Sequence, residues 1–377
     1  MKEKQPRQGD MVLGGKNLPP KGAAVLGGIK GFLHKLNSEN EQEQLAAINQ
    51  ALNYGKYGLE LVIKTLTNES VYHSAIIKNT CLNVIIKALN NNSVELQKKA
   101  YLFLQNRKET KVKEALANCN FYPFFECIDT LQGHSDSVFS LAITPNGERL
   151  VSLSRDKTIK IWDFSNKNLL YSLSTLDLHS EAIISIAITP NGEKIIGATK
   201  NNAIKILDLT GVNSFSSFKA DSKAITSLTI TPNGKRLIGG NEDGSIKIWN
   251  LNPFLYIYKF KGHLETITFL DITPDGKRLI SASKSQIKIW NLTTFKNTYT
   301  QQKPLVTPFV ITPNGKNIIS SGRNNTLKIW DLNTGKCLSI LKTHSSWIET
   351  LVITSDGKKI VTGSGDNTIK IWGIPKP

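Results

Sequence analysis

The sequence predicts an all-β array of six small four-stranded antiparallel sheets, preceded by an α-helical module. Two observations point to it. Over the back two-thirds of the chain one block recurs six times at a period near forty residues, and before about residue 120 the apolar spacing is helical instead. Each recurring block holds a turn of Thr-Pro-Asn-Gly type, a strand, a second turn and a stretch close to Ile-Lys-Ile-Trp.

The turn prolines are Pro145, Pro190, Pro232, Pro274 and Pro313, with Ser355 in the sixth slot, giving spacings of 45, 42, 42, 39 and 42. In the first copy an alternating run, Val138 to Ile143, leads into the turn; Leu150 to Ser154 and then Thr158 to Trp162 follow it. Asn-Gly and Asp-Gly between such runs are hairpin signals, because the turn needs positive φ at one or two positions.

Other landmarks keep register with the proline. Eleven residues before it stand His134, His179, Asp221, His263, Gln302 and His344. Seven after it come Ser152, Gly197, Gly239, Ser281, Ser320 and Thr362, and eleven after it Asp156, Asn201, Asp243, Ser285, Asn324 and Asp366. Trp162, Leu207, Trp249, Trp290, Trp330 and Trp372 close the copies. With Gly133-His134, Gly262-His263, Trp162-Asp163 and Trp330-Asp331, residues from about 124 to 373 resemble the WD-repeat β-propeller family. The resemblance implies a six-bladed β-propeller in which His, Ser or Thr, Asp and Trp of one repeat form a buried hydrogen-bonded lock.

On that reading the lock is complete in the first copy (His134, Ser152, Asp156, Trp162) and the sixth (His344, Thr362, Asp366, Trp372). The second has Leu207 for Trp, and the fourth and fifth lack the Asp. A His beside a Ser and an Asp also suits a hydrolase triad, but a catalytic constellation is needed once, whereas a blade lock is wanted in every blade. The chain after Trp372 is too short for an outer strand, and an apolar run, Phe124 to Leu131, precedes the first copy. That run is expected to complete the last blade, closing the ring and leaving no open seam.

The expected organisation is a flexible Gly/Pro-rich leader over 1–35, a helical module over 36–120 and the propeller over 124–377. The leader is no signal peptide, having no apolar stretch after its charged start, and its glycines lack the Gly-Lys-Ser/Thr of a phosphate loop. Ser38-Glu39-Asn40-Glu41 reads as a capping box opening the first helix, with Leu45, Ile48 and Leu52 on its face. Apolar-periodic stretches Leu59 to Leu66, Val71 to Leu89, Val94 to Leu104 and Val112 to Leu116 follow; Ser93-Val94, Ala100 and Leu104 resemble the second helix of a HEAT repeat.

The chain has 47 basic and 30 acidic residues, a formal charge of +17, with 17 against 10 before residue 126 and the excess shared by both parts. The recurring lysines Lys160, Lys205, Lys247, Lys288, Lys328 and Lys370 read as strand lysines that snorkel to keep a blade edge soluble. Cys81, Cys119, Cys127 and Cys337 have neither metal nor redox spacing and read as free thiols in a reducing, cytoplasmic setting.

Because the repeats consume the conspicuous His, Asp and Trp residues, function is expected on a surface, with no catalytic residue, metal or cofactor and no small-molecule substrate. The resemblance implies partner docking around the top of the channel, by residues eight before, six before and ten after the turn proline. The first set is Ser137, Ala182, Ala224, Thr266, Leu305 and Trp347; the last is Arg155, Lys200, Glu242, Lys284, Arg323 and Gly365. Trp347 alone among the tryptophans lies outside the lock slot. The expected function is a protein-interaction scaffold binding an acidic, partly apolar segment, with Trp347 and Leu305 as anchors and Arg155, Lys200, Lys284 and Arg323 as charge partners. Nucleic-acid binding through the overall basic surface is the alternative, and an enzyme with a channel-mouth site is a third possibility, for which these positions offer neither convergent carboxylates nor a nucleophile with its base.

Overall fold

The computed structural model describes residues 28–67, 74–91, 93–119, 121–174, 183–209, 215–219, 223–302, 308–332 and 334–375. They form two compact units, one ending at Phe121 and the other beginning at Tyr122.

The first unit is helical: α1 (Gly28–Leu36), α2 (Glu41–Gln50), α3 (Gly55–Thr67), α4 (Ala75–Ala88), α5 (Val94–Leu104) and α6 (Thr110–Asn118). Leu96, Ala100 and Leu104, four residues apart on α5, are buried, as are Ile48, Leu59, Val62 and Ile85 from the preceding helices. Two expectations are corrected. Residues 28–35 belong to α1 rather than to a leader running to residue 35, because Phe32 and Leu36 give the segment a face to bury and Phe32 stacks on Tyr54 at 4.6 Å. The cap of α2 is Asn40, not Ser38: its Oδ1 accepts the Gln42 N–H at 2.9 Å.

The second unit is a six-bladed propeller of four-stranded antiparallel sheets. Blade 1 is typical, with strands Val138–Ile143, Arg149–Ser154, Thr158–Asp163 and Leu169–Ser174 in order from the axis outward. Blade 6 takes its outer strand from the other end of the unit: Glu126–Leu131 pairs antiparallel with Ile369–Gly373. The ring is thereby closed by backbone hydrogen bonds rather than by a single continuous chain.

The turn between the first two strands is built alike in the blades. In blade 1 the Thr144 carbonyl accepts the Gly147 N–H at 2.8 Å, Thr144 Oγ1 accepts the Arg149 N–H at 2.9 Å, and Gly147 has φ of +69°, a conformation that favours glycine. Neighbouring turns are close: a Cβ added to Gly276 would lie 3.5 Å from Pro232, and Ser355 Oγ donates to the Pro145 carbonyl across the closure.

The inner strands are stitched blade to blade by short side chains. Ser140 Oγ accepts the Ile186 N–H, Ser185 Oγ that of Leu228, Ser227 Oγ that of Leu270 and Thr350 Oγ1 that of Leu141, at 3.0–3.2 Å. Between blades 4 and 5 the hydroxyl position holds Phe269, and Asp271 substitutes two residues on, accepting the Ile311 N–H at 3.1 Å. Burial pushes the Asp271 carboxyl up to about 6, against the opposing bonds from Ile311 and Ile272. Between the blades lie apolar layers such as Val151, Leu153, Ile159, Ile161, Ile183 and Ile195.

Candidate functional site

The conspicuous polar residues are consumed inside the blades. In blade 1, His134 Nδ1 lies 2.7 Å from Asp156 Oδ2, His134 Nε2 lies 2.7 Å from Ser152 Oγ, and Trp162 Nε1 donates to Ser152 Oγ at 2.8 Å. Burial lowers the imidazole pKa despite the carboxylate, so the ring is neutral at pH 7. Its Nδ1–H then donates to Asp156 and its Nε2 accepts from Ser152, whose oxygen accepts from the indole. Burial alone would raise Asp156, but bonds from Thr158, His134 and the Ser135 backbone hold it down to about 2. Blade 6 repeats the chain through His344, Asp366, Thr362 and Trp372.

Blade 4 keeps His263 and its 2.6 Å contact to Ser281, and Trp290 donates to the same hydroxyl. With Ser285 turned to Glu265, His263 Nδ1 is buried without a partner, and burial, helped by the Lys288 charge, pushes the ring down to about 4. Blade 5 retains the Trp330 to Ser320 bond at 3.0 Å. His179 and Asp221, the lock-slot residues of blades 2 and 3, lie outside the described residues.

The recurring lysines are corrected. They lie on the third strand of each blade, in register with the lock hydroxyl or glycine of the second strand on one side and with the fourth strand on the other. Lys247 and Lys205 are buried; Lys160 Nζ donates to Ser172 Oγ, and Lys370 Nζ to the Thr343 carbonyl, each at 3.0 Å. In place of the expected snorkelling at an edge, the Lys160 ammonium is held by the outer strand, and those of Lys288, at 2.8 Å from the Gly262 carbonyl, and Lys370 by the loop before the first strand; Lys328 is half-buried.

The loops joining each outer strand to the next inner strand, together with the turns between second and third strands, form one end of the ring, the top. There Trp347 is 67% exposed, whereas Trp162, Trp249, Trp290 and Trp372 are buried. Its indole N–H donates to Glu349 Oε1 at 2.9 Å; Arg155 Nη2 reaches that oxygen at 3.2 Å and Ser137 Oγ at 3.3 Å. Glu349, six residues before the turn slot, lines the mouth of a channel of about 730 Å³ with Phe139, Ile184, Thr226 and Thr268, the same position in other blades. Lys200, Lys284 and Arg323 are exposed at this end, and Ser137 is buried. Leu305 and Ala182 lie outside the described residues. Besides Glu242, the acids Glu349, Glu265 and Asp136 share the top, and the repeat gives no sign that Glu349 neutralises Arg155.

The family model described as "WD domain, G-beta repeat" matches residues 125–163, 213–250, 254–291, 303–331 and 335–373. The propeller belongs to the WD-repeat family.

The stretch that the family model passes over includes the second and third strands of blade 2, where Gly197 replaces the lock hydroxyl and Leu207 replaces Trp. Among similar proteins, the vegetative incompatibility protein HET-E-1 of Podospora anserina is 57% identical over 37 residues, 10% of this chain and 3% of that protein. The uncharacterized WD repeat-containing protein sll1491 of Synechocystis is 44% identical over 48 residues, 12% of this chain and 14% of that protein. The Notchless protein homolog of Arabidopsis thaliana is 24% identical over 115 residues, 30% of this chain and 22% of that protein. These matches span small parts of the relatives, 3% to 22% of their length, and carry the repeat rather than a whole-protein activity. Among the described residues of this WD-repeat chain, no three His, Cys, Asp or Glu side chains are grouped to hold a metal ion, and no helix is long and apolar enough to cross a membrane.

Proposed function

We propose that the WD-repeat propeller is a non-catalytic protein-interaction scaffold whose partner docks on the top end, around Trp347. The observation that carries the reading is the exposed indole of Trp347, steered by Glu349 at the channel mouth. Burying a Trp of this exposure on a partner is the commonest form of an interface hot spot, contributing roughly 2 kcal/mol or more. The partner segment is partly apolar, to cover Trp347, and carries acidic residues toward Lys200, Lys284 and Arg323, which are exposed around it. Arg155 is the weaker charge partner, because Glu349 already pairs with it. Leu305 remains part of the proposal as the second apolar anchor. The similarity to the Notchless protein homolog accords with a scaffold role.

The test is affinity capture from native lysate with the intact chain beside a Trp347→Ala, Lys284→Glu, Arg323→Glu variant whose melting temperature matches. Proteins held by the intact chain and lost by the variant support the reading. Identical sets on both remove the top end from the proposal.

A further inference from the structure

The opposite end of the ring, the bottom, is formed by the turns between first and second strands and between third and fourth strands. Its charge is uneven. On blades 1 and 2 Arg149, Lys167 and Lys194 face Glu148, Asp163, Glu193 and Asp208. On blades 3 to 5 the same turns carry Lys235, Arg236, Lys277, Arg278, Lys296, Lys316 and Lys336 against Asp275 and Asp331. Asp275, which is exposed, and Asp331 accept the Lys277 and Thr334 N–H groups of their own turns, leaving the cations in excess by seven to two. The turns of blades 3 and 4 lie side by side, with room for no more than a Cβ between Gly276 and Pro232, and their basic residues follow one another along the ring.

The row runs into a groove of about 1100 Å³ between blades 4 and 5. Arg278 and Lys328 line it together with Asn314 and the carboxylates Asp275 and Asp331, and two aromatic rings stand in its wall: Tyr299, 53% exposed, and Trp330, the one lock tryptophan that is not buried. Lys328 Nζ sits 5.7 Å from the Trp330 ring centroid.

We propose that this arc and groove bind single-stranded nucleic acid, independently of the top-end site. A row of cations spaced along a curve suits a flexible chain with one negative charge per unit, whereas a duplex, stiff over about 150 base pairs, would not follow it. Aromatic rings in an adjoining groove supply the stacking surface that single-strand binders combine with a basic track. An acidic peptide would use the cations but gain nothing specific from Tyr299, and this difference makes the two separable.

The experiment measures fluorescence polarisation of the full chain with a labelled mixed-sequence RNA of about 20 nucleotides, over roughly 50 to 200 mM salt. One triple variant, Lys235→Gln, Lys277→Gln, Lys336→Gln, is compared with a charge-matched control, Lys194→Gln, Lys200→Gln, Lys284→Gln. Each phosphate contact contributes about 0.7 to the logarithmic salt slope of a single strand, so the arc variant should lower the slope by about 2 and affinity at low salt by about tenfold or more. The control should stay within about threefold of the intact chain. Tyr299→Ala should weaken binding about fivefold or more while leaving the salt slope unchanged. Absence of binding at low salt, equal losses in the two triples, or no effect of Tyr299→Ala with displacement by polyglutamate would overturn the proposal.

Discussion

The indole nitrogen of Trp347 donates to Glu349 Oε1 at 2.9 Å, and that oxygen is shared with Arg155 and Ser137. One carboxylate therefore sets the pose of the exposed aromatic and ties blade 6 to blade 1. Glu349→Ala should release both Trp347 and Arg155 at a stability cost of about 1 kcal/mol or less, since the ion pair is partly solvated. The measurement is a denaturation midpoint together with the tryptophan emission maximum; a large drop in stability would show that the contact is structural rather than orienting.

His134→Ala should destabilise the propeller more than His263→Ala, by about 1–2 kcal/mol. Loss of His134 strips a bond from the buried Asp156 as well as from Ser152, whereas His263 serves Ser281 alone and already leaves its own Nδ1 unpaired. Urea unfolding of the two variants side by side decides it.

Restoring a lock hydroxyl is not always stabilising. In blade 3 a Cβ on Gly239 would lie 3.0 Å from Trp249 and 3.1 Å from Ile225. Gly239→Ser is therefore expected to cost about 1–3 kcal/mol through overpacking, although it rebuilds the motif. An unchanged or raised melting temperature would show that the ring can shift to admit it.

Acid should weaken the fold from mildly acidic pH downward. His134, His263 and His344 are lowered by burial, His263 to about 4, so below an unfolded value of about 6.5 the unfolded chain binds protons that the folded one refuses. Their contribution is present above that value and is lost as pH falls through the folded pKa values. Asp156, Asp243 and Asp366, each held near about 2, add a second loss from their ordinary range downward. Asp271 acts oppositely: raised to about 6, it favours the fold at lower pH and loses that contribution as pH rises through about 6, one group against three imidazoles. Denaturant midpoints at about pH 7.5 and about pH 5.5 should show lower stability in acid, and His263→Gln should flatten the difference.

The ring was legible because its signals repeat: a Gly of positive φ in each turn and a Trp closing most third strands can be checked against five other copies. Features that occur once were harder to read. Glu349 looks like any strand residue until the closure of the ring brings Arg155 of blade 1 beside it. The hydroxyls of Ser140, Ser185 and Ser227 alternate like ordinary strand positions, and only the neighbouring blade reveals that they accept its backbone. Gly28–Leu36 was hidden by its glycine-rich surroundings, because the spacing of Phe32 and Leu36 spans a single helical repeat. The lysine row failed for a different reason: snorkelling is the ordinary behaviour of a strand lysine, and only the sheet topology shows that the third strand is an inner one, flanked by an outer strand rather than standing at the edge.

The central claim, that Trp347 anchors a partner on the top end, is tested most directly by iodide quenching of tryptophan fluorescence with and without the captured partner. Trp347 is the exposed tryptophan at that end, so the quenchable part of the emission should fall when partner is added, and Trp347→Ala should remove that fall and the binding, leaving only the quenching of the half-buried Trp330. Quenching that persists undiminished in the complex would place the partner elsewhere and contradict the account.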